Sequence, residues 1–185
     1  RAAFYLPCVI SIAITGLIFT NLFDYFGLIN AWLTKIGLID VPIDWFSNAW
    51  TARLVLIIGS VWSSFGINVL YFISALANVP EELYESAKLD GASGWKTFWH
   101  ITLPMIAPVF STILLLAING TLQTSEYILA TTRGVPHGST YTVMAYVINR
   151  FVPGFAEGGA NVGYGCALSL VTAVIMGLVA LAYTK

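Results

Sequence analysis

The chain has 185 residues, of which 58% are hydrophobic and only 9% charged, and its mean hydropathy is +0.82. Soluble domains carry about 25% charged residues, so this is the composition of an integral membrane protein. A net charge of −1 lacks the basic footprint of a nucleic-acid-binding protein.

A membrane-crossing helix needs about 20 mainly apolar residues. Four segments qualify: residues 2–23, 52–77, 103–122 and 164–183. Lipid offers no water to backbone polar groups, so each is expected as a helix. The chain opens on Arg1 and is apolar at once, without the small-residue cleavage pattern of a signal peptide. It is expected to be a piece of a longer protein that lacks the N-terminal helices.

The connection 24–51 carries Trp32, Trp45, Phe46 and Trp50, aromatics that favour the membrane–water boundary. Within it, residues 28–36 read as an amphipathic helix lying in the interface. In the second span, Ser60, Ser64, Asn68 and Tyr71 recur at spacings of four, four and three, one helical face. Such a stripe serves either helix packing or the wall of a polar path.

Between Pro80 and Pro104 the character of the chain changes. This stretch holds Glu81, Glu82, Glu85 and Asp90 of the nine acidic residues, with Lys88 and Lys96 of the eight basic ones. Pro80 suits a first helical turn, and carboxylates there complement the helix dipole. Leu83, Tyr84 and Ala87 form a small apolar face. Gly91 suits a chain reversal, and a second short helix is expected over about residues 94–100. The segment therefore reads as helix, turn, helix, exposed to water between two spans.

Thr112, Asn119, Gln123 and Glu126 follow at spacings of seven, four and three, which predicts a polar stripe along the third span. Asn119, Gln123 and Glu126 are candidates for hydrogen-bonding a polar solute; the alternative is contact between helices, with Glu126 at the water boundary. The connection 123–163 is rich in Gly, Thr and Tyr and includes Arg133, Arg150 and Glu157. In the last span, Gly165, Ser169 and Thr172 form a weaker stripe of small residues, suited to close helix contact.

Several chemistries find no support. Gly91–Lys96 has the wrong glycine spacing for a phosphate loop. His100 and His137 lack carboxylate or cysteine company, so no metal or catalytic centre is expected. Cys8 and Cys166 lie in apolar runs and read as small buried hydrophobes rather than a disulfide. Lysine and arginine divide evenly, with Arg1, Lys88, Lys96 and Lys185 on one side and Lys35, Arg53, Arg133 and Arg150 on the other. This leaves orientation open.

One pattern is more specific. Glu85-Ser86-Ala87, Asp90-Gly91-Ala92, Phe98, Ile101 and Leu103-Pro104 resemble the EAA loop of ABC-importer permeases. The closest resemblance is to the carbohydrate-uptake branch of maltose and glycerol-phosphate type. Ser86 stands where that family usually has alanine. Thr132-Arg133-Gly134-Val135-Pro136 and Thr140 are similar to a second family segment, with Val135 in place of its second glycine.

The resemblance implies an all-α integral membrane fold, a bundle of about four transmembrane helices matching the last four of a six-helix type I ABC permease core. Residues 1–185 would form one partial transmembrane domain, with 80–104 as its cytoplasmic coupling loop. Leu83, Tyr84, Glu85, Ser86, Ala87, Asp90, Gly91 and Ala92 would couple to ABC ATPase subunits, and Leu83, Tyr84 and Ala87 would supply apolar contact. Asn68, Tyr71, Asn119, Gln123 and Glu126 would line the solute path.

The implied partners are the ATPases, a second permease subunit, an extracytoplasmic solute-binding protein and lipid, in a bacterial inner membrane. No cofactor is implied in this chain, because the ATP is bound by partner subunits, and the chain is not itself an enzyme. The 132–140 segment would face the binding protein. The competing reading is an ion-coupled secondary transporter with Glu126 as its coupling carboxylate. An integral membrane enzyme is disfavoured, for want of a nucleophile and base.

Overall fold

The computed structural model describes residues 2–152, 159 and 161–183, with side chains from residue 6 onward. Arg1, Glu157 and Lys185, named in the charge analysis above, lie outside the described residues. The described elements are all helical: α1 (Ala2–Val9), α2 (Ile12–Leu22), α3 (Leu28–Lys35), α4 (Ala49–Ala77), α5 (Glu81–Leu89), α6 (Gly94–Gln123), α7 (Glu126–Thr131), α8 (Val143–Phe151) and α9 (Val162–Tyr183). Among them α4, α6 and α9 are long and apolar enough to cross a membrane.

The first apolar run departs from expectation. It is two helices of 8 and 11 residues, not one span. Pro7 lies inside α1 and withdraws one backbone donor from its ladder. Ser11 is extended (φ −55°, ψ 137°), and its carbonyl accepts Thr15 N at 2.9 Å to begin α2. The break lets the two halves pack separately, α1 against α4 and α2 against α7.

Close approach of α7 to α4 depends on Gly59. A Cβ there would fall 1.9 Å from the hydroxyl of Tyr127. Tyr127 is fully buried, and its hydroxyl donates to the carbonyl of Val55 at 3.5 Å. Leu56, Tyr127, Ile128 and Ala145 thereby form one core cluster, while Phe19, Phe23 and Val55 form another.

The helix expected over residues 28–36 is present as α3. Trp32 and Trp50 are exposed, as boundary residues should be. Trp45 and Phe46 are not; they turn inward onto Phe19, Phe23 and Val55, and Trp45 meets Phe23 edge-on at 5.2 Å. The cause is Asn30, buried at the centre of the connection. Its amide nitrogen donates to the carbonyls of Tyr25 (3.0 Å) and Ile43 (2.8 Å). Its oxygen accepts Ile43 N (3.2 Å) and Trp45 Nε1 (3.1 Å). Both cysteines are free, as expected, but exposed rather than buried.

Replacing Asn30 by Leu strands this set of polar groups, each costing about 1–3 kcal/mol when buried and unpaired. Asn30→Leu is therefore expected to lower the thermal unfolding midpoint of the detergent-solubilised protein. Asn30→Asp, which keeps the acceptor, should lower it less. Equal midpoints for the leucine variant and wild type would refute the hub.

Candidate functional site

Three features at two ends of the α4–α6 pair make up the candidate site. At the end where α4 finishes and α6 begins, α5 stands as a polar helix outside the long apolar segments. Glu81 and Glu82 occupy its first turn and Lys88 its last, complementing the helix dipole. The helix stops at Gly91, which has φ +69°, a conformation that glycine adopts without the usual side-chain clash. Ala92 N bonds to Ala87 O (2.9 Å) and Gly91 N to Lys88 O (3.1 Å). These two bonds form a Schellman closure that satisfies the last carbonyls.

The apolar face of α5 points elsewhere than expected. Ala87 is buried and Tyr84 packs against Ala75, Val79 and Ile106. The Tyr84 hydroxyl shares a 3.1 Å hydrogen bond with Thr102. Tyr84 and Ala87 thus seat the helix on the ends of α4 and α6 rather than offering contact to a partner. Glu85, Ser86, Leu89 and Asp90 are left exposed, Leu89 at 90%. Leu83 is also exposed.

The second short helix is likewise not separate. Residues 94–102 form the beginning of α6 itself and include a π-helical turn, Phe98–Thr102, after which Leu103 N bonds to Phe98 O. That wider turn accommodates Pro104, which has no N–H to continue the ordinary ladder. Trp95, Phe98 and Trp99 form an exposed aromatic cluster on it, with centroids 5.6–6.1 Å apart.

The second feature is a cleft of about 890 Å³ between α4 and α6. Ser60, Ser64, Asn68 and Tyr71 all line it, so the polar stripe of the second span is one wall. Arg53 lies at one end of that wall and Tyr71 at the other, about 27 Å apart at helical rise. Ser64 donates to Ser60 O (2.8 Å) and Asn68 to Ser64 O (2.9 Å). Each side chain keeps further hydrogen-bonding capacity for the cleft. The opposite wall is the mainly apolar face of α6, with Ile113, Leu116, Ala117, Gly120 and Thr121.

The third-span stripe does not survive intact. Thr112 bonds back to Pro108 O (3.0 Å), and Asn119 does not line the cleft. Gln123 and Glu126 line a separate recess of about 280 Å³ with Ser125 and Tyr127. The helix ends between them, with Thr124 at ψ 115° and Ser125 at φ −130°. Glu126 therefore opens α7 instead of continuing the face of α6. In α9, Gly165 packs on Phe151, where a Cβ would come within 2.9 Å of that side chain. This is the helix-contact reading of its small residues.

The third feature is the elbow 132–142, at the opposite end of α4 from α5. Thr132 and Thr140 share a 2.8 Å hydrogen bond, and Thr140 donates to Val135 O (2.9 Å). Gly134 has φ +90°, and a Cβ there would fall on the Tyr141 ring. Val135 has no positive φ, unlike Arg133, Gly134, His137 and Gly138, so a side chain at 135 costs the turn nothing. The Thr142 hydroxyl donates to Thr124 O, tying the elbow to the end of α6. Arg53 Nε and Nη2 donate to Ser139 O at 3.2 and 3.1 Å, tying it to α4.

Ser139, Thr140, Tyr141 and Thr142 thereby cover one end of the cleft. Of these only Thr140 stood out in the sequence, and Arg53 entered only the count of charges. The one legible signal was the cluster of Gly and Thr around residue 134, which marks a turn but not what the turn covers.

Known proteins are similar to this chain. The lactose transport system permease protein LacF of Rhizobium radiobacter is 34% identical, over 95% of this chain and 59% of its own length. The arabinooligosaccharides transport system permease protein AraP of Bacillus subtilis is 33% identical, over 100% of this chain and 58% of its own. The chain thus spans less than two thirds of these relatives.

A chain in the crystal structure of a bacterial alginate ABC transporter, in complex with an alginate pentasaccharide-bound periplasmic protein, superposes with TM-score 0.82. Their identity is 27%, over 97% of this chain and 60% of that one. Residues 2–184 match a single family profile. The chain belongs to the family of binding-protein-dependent transport system inner membrane components.

Proposed function

We propose that this chain is the core of a permease subunit that imports a sugar or sugar-like solute across a bacterial inner membrane. The energy comes from ATP hydrolysed by separate ABC ATPase subunits, so the chain needs no cofactor of its own. The observation that carries the reading is α5. It is an acidic helix outside the long apolar segments, closed at Gly91 and set through Tyr84 on the ends of α4 and α6.

In this reading α5 faces the cytoplasm and its exposed residues, Leu83, Glu85, Ser86, Leu89 and Asp90, dock in the ATPase. Gly91 and Ala92 preserve the shape of the docked loop. Closure of the ATPases moves α5. Tyr84 and Thr102 pass the movement to the span ends, biasing the cleft between inward- and outward-open states. The elbow 132–142 then faces outward, toward a solute-binding protein. A second permease subunit completes the path.

Two things support the sugar class. The cleft wall bears hydroxyl and amide groups from Ser60, Ser64, Asn68 and Tyr71 beside apolar surface, a mixture that suits the hydroxyl edges and C–H faces of sugars. The relatives named above carry lactose and arabinooligosaccharide transport in their names. Secondary transport through Glu126 is the less favoured reading. That carboxylate is exposed at the start of α7 and lines a smaller recess rather than the main cleft.

Gly91→Pro forces φ to about −65° and removes the N–H that bonds to Lys88. The full-length assembled transporter should keep hydrolysing ATP while uptake falls roughly tenfold, the equivalent of about 1.4 kcal/mol of coupling. Unchanged uptake would refute the docking role. Asn68→Leu loses a hydrogen-bonding group worth about 1 kcal/mol. It should cut uptake roughly fivefold without reducing the ATPase recovered on co-purification. Uptake by the permease alone, energised by an ion gradient, would instead establish the secondary-transporter reading.

A further inference from the structure

Among the described residues Arg53 is the one charged side chain lining the cleft, and no carboxylate among them pairs with it. A guanidinium has five N–H donors. Here Nε and Nη2 each donate to the carbonyl of Ser139, which fixes the orientation of the group. The Trp50 ring, 5.4 Å from the guanidinium carbon, supports it from the side. Three N–H donors remain, two on Nη1 and one on Nη2, and one from each nitrogen lies along the end-on edge of the fork. That edge is the one a carboxylate meets with two parallel hydrogen bonds.

The surroundings favour an anion further. Most of the cleft wall is apolar (Leu56, Ile57, Val61, Ile67, Ile113, Leu116), and a single sign of charge between low-dielectric walls concentrates ions of the opposite sign. Ser139, held against Arg53 through its carbonyl, also has a hydroxyl that is buried without a hydrogen-bond partner.

We propose that the cleft selects a saccharide bearing a carboxylate, a uronate-type sugar, and that Arg53 is the residue that recognises the acid group. Neutral hydroxyls of the same ligand meet Ser60, Ser64 and Asn68 farther along the wall. The proposal rests on the transport reading above and narrows its substrate class.

The test uses the full-length permease complex in lipid nanodiscs, without the solute-binding protein, so that selection by that protein does not enter. Calorimetry compares a panel of uronate-containing disaccharides with their carboxyl-reduced counterparts, which differ only in the acid group. The acidic member of at least one pair should bind roughly tenfold or more tightly, the size of a charge-assisted hydrogen bond. The preference should shrink as salt is raised.

Arg53→Gln should abolish the preference, so that the acidic and neutral members of a pair bind alike, and Arg53→Lys should retain part of it. Equal binding of both members of every pair, absence of binding by all acidic members, or a preference that survives Arg53→Gln would each overturn the proposal. Should Arg53→Gln fail to fold, the salt dependence of the wild-type preference decides: a preference indifferent to salt overturns it. ATP-driven uptake by the same complex, reconstituted with its binding protein, tests the transport reading separately. Uptake of neutral sugars alone would leave that reading standing and remove only the acidic selectivity.

Discussion

Hydrocarbon supplies no hydrogen bonds, and every other feature of this chain follows from how its polar groups meet that constraint. In the long segments the backbone is satisfied by helix. The side-chain hydroxyls and amides do the same within their own helices: Ser64 bonds to Ser60 O, Asn68 to Ser64 O, Thr112 to Pro108 O, Thr121 to Ala117 O and Thr172 to Leu168 O. A residue satisfied in this way can stand in an apolar segment at little cost, still able to accept or donate one more bond. Two such residues, Ser64 and Asn68, stand in the cleft wall on α4.

Where the helices stop, the same constraint demands a partner from elsewhere in the chain. At Thr124 the carbonyl freed by the end of α6 is taken by the Thr142 hydroxyl, and that bond brings the elbow over the cleft. In the 24–46 connection a single buried amide, Asn30, answers five surrounding backbone and indole groups. At Gly91 a left-handed residue lets the chain pair its own last carbonyls. Each turn is thus built around one specific residue, so the turns are stiff. Stiff turns hold α5 and the elbow at fixed places on the ends of the same helices.

That placement has a mechanical meaning. Tyr84 and Thr102 join α5 to one end of the α4–α6 pair, while Arg53–Ser139 and Thr142–Thr124 join the elbow to the other. The cleft lies between. A displacement at either end reaches the cleft through two helices rather than through loops, and an element of packed side chains shifts between discrete arrangements more readily than it bends. The deviation of Tyr84 and Ala87 from their expected role belongs here. In the proposed reading, a helix that transmits force has to grip its own body as well as its partner, and two of the three residues of its small apolar face go to that grip.

Composition and run length determined the all-helical membrane fold, because apolar stretches near the bilayer thickness have few alternatives. Local turn chemistry determined α5 and its stop, since dipole-matched charges and a left-handed glycine act within a few residues of themselves. Helix α3 and the polar face of α4 were legible for the same reason, as helical period is a local property. Only the tertiary structure decided that residues 2–23 divide in two, that Glu126 leaves the stripe of α6, and that Trp45 and Phe46 turn inward. It alone brought Arg53 and Ser139, 86 residues apart, to the same end of the cleft. Those outcomes depend on contacts between distant segments, and spacing along one helix carries no information about what another helix will lay against it.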